Sequence, residues 1–374
     1  MIESGTRPER APIGVARRLP RSADVVIIGG GIIGAASAWY LASRGRTVVL
    51  LEKGHLAGEQ SGRNWGWVRQ QARDVDELPL MQAANRIWQT LEKELATDIE
   101  WTNQGNLALA RDPERVAFFR AWLDVAKGAG LESHLLTESE IRAMLPQLEG
   151  NWAAAMYTPS DGHAEPTKAT RGFGAAALTM GAVIAEGCAA DRIVVEAGRV
   201  TGVETEWGTV RTDHVLCAAG VWSARLLRGI GVDLPIRIVR STVAATKPIA
   251  PLTGIAVGYH PVVSFKQRPN GSLLLAAGGW SDYDLTLDSL RHLRLFLPNF
   301  VKNRRLIRLH LGRPLLGDIA RVLTPWKSDD RPWRQQRVLS PKPSREKVRA
   351  SHAEFRQMFP EVRLEIDRTW AGYT

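Results

Sequence analysis

Cysteine is nearly absent from this sequence. Cys188 and Cys217 are the only two in 374 residues, and neither stands at a metal-type spacing. No metal site is therefore expected, and the cysteine usage fits a reducing, cytoplasmic compartment. A secretory signal is also missing. Residues 1–22 are rich in Arg and Pro without an apolar centre, and they read as a disordered tail. One apolar run, from Ala23 to Ala42, approaches the length of a membrane span. Its clustered glycines and its strand-then-helix pattern argue against that use, so no transmembrane segment is expected. No internal repeat or low-complexity block follows residue 22. Acidic residues are outnumbered, with a formal net charge of +10, but arginines run along the whole chain and no nucleic-acid-binding module is present. Nucleic acid is not expected as a partner. The surplus fits either a generally basic protein or a pocket suited to carboxylates. At this length the chain has room for two domains with separate cores.

What is present begins at Asp24–Ile28 (DVVII), a β-branched run without alternation that reads as a strand buried on both faces. Gly29-Gly30-Gly31-Ile32-Ile33-Gly34 follows it directly and opens a helix expected over residues 32–44. A second strand, Thr47–Leu51, then leads to Glu52 and Lys53. The order matters more than the glycines alone. Gly29 permits the tight turn, Gly31 lets backbone approach a pyrophosphate, and Gly34 lets helix and strand pack closely. The first amides of the helix, at its positive dipole end, favour a diphosphate, and Glu52 can accept from ribose hydroxyls.

A βαβ unit of this kind serves NAD and FAD alike. The stretch after it is Gly58-Glu59-Gln60-Ser61-Gly62-Arg63-Asn64-Trp65-Gly66-Trp67-Val68-Arg69. It resembles the loop beneath the flavin in the D-amino-acid oxidase superfamily, and its Ser-Gly-Arg-Asn-x-Gly run is similar to the glycine/D-amino-acid oxidase-like (DadA-type) branch. Asp161–Pro166, Glu186–Ile193 and His214–Gly220, with Trp222 after it, agree with that resemblance. Ser264–Gly278 and Trp370–Gly372 extend it almost to Thr374. The resemblance implies FAD as the cofactor, held by Gly29, Gly31, Ile32, Ile33, Gly34, Glu52, Lys53, Ser61, Gly62, Arg63, Asn64, Gly66, Ala190, Ala219, Gly220 and Trp222. It implies an α/β fold in which a Rossmann-type FAD-binding domain is interleaved with an α+β substrate domain built on an antiparallel sheet. Residues 22–73, 151–227 and part of 346–374 would form the first, and 74–150 with 228–345 the second.

Local patterning fills in the elements. Leu80, Ala84, Ile87, Trp88 and Leu91 share one face of a helix expected over 77–97, and further helices are expected near 114–127, 166–179 and 346–358. Strands are expected over 236–246, 262–267 and 272–276. The last two are joined by a hairpin at Arg268-Pro269-Asn270-Gly271, whose Asn-Gly step is a turn signal.

The implied activity is oxidation of a small amine or amino acid, giving an imine, with oxygen or a quinone as electron acceptor. Such a substrate needs its carboxylate anchored, a task for a planar guanidinium. Arg69, His163 and Arg268 are the candidates on the substrate side, each with a structural role as its alternative. The family pattern normally continues past a Trp-Ala-Gly-Tyr segment such as Trp370–Tyr373. A second expectation follows: this polypeptide is a fragment, or a subunit whose FAD site a partner chain completes. Self-association stays open.

Overall fold

The computed structural model describes residues 16, 18–259, 262–276, 280–312, 315–317, 319, 323 and 332–374. Most of the expected tail, and Gly278, lie outside these residues. A four-stranded parallel sheet carries the glycine motif. Its central strands are β1 (Val25–Ile28) and β2 (Val48–Glu52), flanked by Val215–Cys217 beside β1 and by Val183–Glu186 beside β2. Helix α1 (Ile32–Ala42) connects β1 to β2. It packs through Ala35, Ala38 and Ala42 against the Pro166–Thr179 helix, so small residues set a close helix–helix approach. An antiparallel meander, Ala190–Glu196, Arg199–Thr205 and Gly208–Arg211, lies alongside.

The second unit is a ten-stranded mixed sheet. Its centre follows the expected hairpin, with Val263–Gln267 paired antiparallel to Ser272–Ala276. One face is covered by the Arg345–Met358 helix, where Phe265, Phe355 and Phe359 meet at ring-centroid distances of 4.9–5.5 Å. Each fully buried phenylalanine contributes about 1.5–3 kcal/mol through burial. Ala154–Thr158 and Ile366–Tyr373 are strands of this sheet, although 151–227 and part of 346–374 were expected in the first unit.

The region expected as one helix over 77–97 is two, Leu78–Trp88 and Leu91–Leu95. Its buried residues are Leu78, Asn85, Leu91 and Leu95, whereas Leu80 and Ile87 face solvent. Asn85 accounts for the rotation of the face: its Nδ2 donates to the Ser160 carbonyl at 2.8 Å. Apolar spacing alone gives no weight to such a polar anchor.

Candidate functional site

A cavity of about 550 Å³ opens at the carboxyl ends of the parallel strands. It lies where chain order reverses between β1 and Val215–Cys217, the place at which open α/β sheets bind ligands. Gly29 closes the turn after β1 at φ +115°, and a Cβ there would stand 2.3 Å from the Ala218 carbonyl oxygen. Gly34 does the packing expected of it, since a Cβ would meet Gly29 O at 1.9 Å.

No side chain caps α1 at Gly31. Ile32 N donates to Ser61 Oγ at 2.9 Å, which leaves the Ser61 hydroxyl hydrogen for another acceptor. A helix start whose first amide meets that hydroxyl suits a diphosphate. Glu52 accepts from Gly30 N (2.7 Å) and Gly54 N (2.6 Å). Burial nonetheless raises its pKa above the ordinary carboxylate value, against those two bonds.

Among the expected cofactor residues, Gly29, Gly31, Ile32, Ile33, Glu52, Lys53 and Ser61 line the cavity on the βαβ side. Ala190, Ala219, Gly220 and Trp222 line it opposite. Gly34, Gly62, Arg63, Asn64 and Gly66 are not among the residues that line it. Asn64 Oδ1 accepts from Gly66 N and stiffens the loop, and Arg63 ties it to the last strand through the Ala371 carbonyl at 3.1 Å.

Sequence reasoning missed the segment that crosses the nucleotide end. Trp333 lines the cavity. Arg337 forms a bidentate pair with Glu206 (2.5 and 2.7 Å), and Arg334 pairs with Asp191. Lys53 Nζ donates to Glu59 and to the carbonyls of Gln336 and Arg337, all within 2.8–2.9 Å. Lys53 was expected to touch cofactor; it lines the cavity, with two of its hydrogens on the strap and the third on Glu59.

The substrate-side candidates are not brought to the cavity. Arg268 binds Glu100 at 3.2 Å and lies 4.0 Å from Glu165, tying the hairpin to the start of the Pro166–Thr179 helix. Arg69 donates to the Gln71 carbonyl at 2.5 Å. His163 is buried, with Nε2 3.2 Å from the Gly254 carbonyl. Burial, with Lys266 nearby, lowers its pKa to about 3, so the ring is neutral and Nε2 carries the donated hydrogen.

Lys266 was not expected. It is 2% exposed, donates to the Ala164 carbonyl at 2.7 Å and lies against Gly66 in the 58–69 loop. Burial pushes its ammonium down to about 7. Register places it in a row with Leu274, Ala245 and Arg368 on four neighbouring strands, all on the sheet face that meets this loop. The backbones at Lys266 and Arg368 stand about 14 Å apart along that row, three strand spacings. Val243, Ala245 and Leu274 form an apolar floor between them, walled by Trp65 and Trp370. Arg368 Nε is buried and donates to no acceptor among the described residues.

Comparison with known proteins agrees with this geometry. The family model described as FAD dependent oxidoreductase matches residues 24–374. Mitochondrial sarcosine dehydrogenase from Mus musculus is 30% identical over 246 residues, covering 64% of this chain and 27% of that protein. A 4-methylaminobutanoate oxidase (formaldehyde-forming) from Paenarthrobacter nicotinovorans is 31% identical over 222 residues, covering 58% of this chain and 27% of the relative. The chain thus matches about a quarter of the length of these two relatives. Among solved structures, L-amino acid deaminase from Proteus vulgaris superposes with a TM-score of 0.89 at 24% identity, covering 97% of this chain and 86% of its own. That likeness shows the fold.

Proposed function

The chain belongs to the FAD dependent oxidoreductase family, and from that premise we propose that it oxidises a small amine or amino acid that carries a carboxylate. FAD, when bound, supplies the hydride acceptor at its N5 position. The glycine turn, Ser61 and the strap would hold its diphosphate and nucleotide end. The face of the large sheet that meets the 58–69 loop would take the substrate. Arg368, at one end of the apolar floor, is the proposed carboxylate anchor, a task that a planar guanidinium performs with two parallel bonds. Lys266, at the other end, has its pKa pushed down to about 7 by burial and so carries less charge against an amine than an ordinary lysine would. Trp65 and Trp370 exclude water from the reacting carbon. The relatives named for sarcosine and for 4-methylaminobutanoate direct attention to N-methylated substrates.

The row of Lys266, Leu274, Ala245 and Arg368 carries this reading. The test is anaerobic bleaching of the bound flavin by sarcosine, glycine, proline, D-alanine and an amine without a carboxylate. A carboxylate-bearing amine should bleach it, and Arg368→Ala should raise KM about 30- to 100-fold with a smaller change in kcat. A flavin-loaded protein bleached by none of them, or an Arg368→Ala variant with wild-type KM, would refute the proposal.

A further inference from the structure

The net charge is not spread evenly, although arginines are. Residues 289–312 contain six Lys or Arg and no acidic residue, a net charge of +6 against the chain's formal +10. The same segment holds a run of exposed aliphatic side chains. The Leu293–Asn303 helix has no buried residue. Leu293, Leu297 and Val301 recur every four positions and so form one stripe, the spacing that ordinarily faces a core. Here the stripe faces solvent, and together with Leu290, Leu295 and Leu311 its members are 45–80% exposed. Arg294 and Lys302 follow Leu293 and Val301 by one residue, beside the stripe, and both are exposed.

We infer that this segment docks the protein on the surface of an anionic lipid bilayer. Interleaved leucines and arginines suit that boundary, because the aliphatic groups enter the acyl region while guanidinium and ammonium groups stay at the phosphates. The helix has eleven residues and a proline at position 298, so it is too short to span and would lie in the plane of the interface. Nucleic acid satisfies the charge but leaves the leucines wet, and single strands need free aromatic faces. Here Arg237 already covers the Phe296 ring at 4.3 Å and Arg308 the Trp280 ring at 4.6 Å. A second copy packed on the same patch would set these positive segments against each other.

The test is co-sedimentation of the flavin-loaded full chain with vesicles of phosphatidylcholine, with and without phosphatidylglycerol. Binding should be confined largely to the anionic vesicles and should weaken with salt. The charge-reversal pair Arg294→Glu with Lys302→Glu, and separately Leu293→Ser with Leu297→Ser, should each lower vesicle affinity about tenfold or more. Flavin content and melting temperature should stay at wild-type values, because all four side chains are exposed. Equal binding to both vesicle types, no binding, or binding unchanged in both variants would overturn the inference. So would an oligomer in size-exclusion chromatography that the leucine variant dissolves, since a second copy would then cover this face.

Discussion

Lys266 stands on a strand of alternating pattern, Val263-Ser264-Phe265-Lys266-Gln267, at a position that patterning assigns to solvent. It is buried because the 58–69 loop covers that face of the sheet. The depressed pKa has a sign that can be checked. Between about pH 7 and the ordinary lysine range, the unfolded chain holds a proton at this site that the folded chain has released. Stability therefore rises with pH through that window. Equilibrium denaturation at pH 7 and at pH 9.5 should show the wild type gaining stability relative to Lys266→Met, whose difference between the two pH values lacks this contribution. Equal pH dependence in both proteins would mean that the lysine is charged as folded. The same contrast explains the sequence candidates. Arg69, His163 and Arg268 were chosen for residue type near a motif, yet each is held by a local partner that type alone does not reveal.

At the scale of elements, the strap is the clearest case of a functional part invisible in one dimension. Trp333, Arg334 and Arg337 are about 280 residues from Lys53 and Glu59, and no spacing rule links them. Arg337→Ala removes a bidentate pair with a partly exposed arginine, an interaction of about 1 kcal/mol. Flavin should then bind about fivefold more weakly in a fluorescence titration, with the fold intact by circular dichroism. An unchanged dissociation constant would show that the strap holds no cofactor. Other elements were legible. Pro166–Thr179 matches its expected bounds, as does Ser272–Ala276, because proline at a helix start and an Asn-Gly turn are local signals. The broken helix at 78–95 was not legible, since Asn85 chose the buried face through a partner 75 positions away.

Over the whole molecule, the Arg268 cluster joins the two units. Its guanidinium and the Glu100 carboxylate are 11% and 13% exposed, so removing one leaves the other largely buried. Arg268→Ala should cost about 1–2 kcal/mol of stability, less than a fully orphaned buried charge, because Lys168 Nζ still stands 3.1 Å from Glu100. A double-mutant cycle with Glu100→Gln should show strong coupling, while KM for the amine stays near wild type. A selective rise in KM without loss of stability would return Arg268 to the substrate site.

By itself the sequence determined the nucleotide half: β1, the glycine turn, α1, β2 and the acid after it interact within a few tens of residues, so order along the chain is order in space. Tertiary structure alone decided the substrate half. There the face of a strand is assigned by whatever packs on it, and the row from Lys266 to Arg368 is completed only because the distant Ile366–Tyr373 strand is held in register beside Arg240–Pro248. Backbone hydrogen bonds between segments more than a hundred residues apart set the register of that last pair, Ala245 with Arg368, and no local periodicity encodes them.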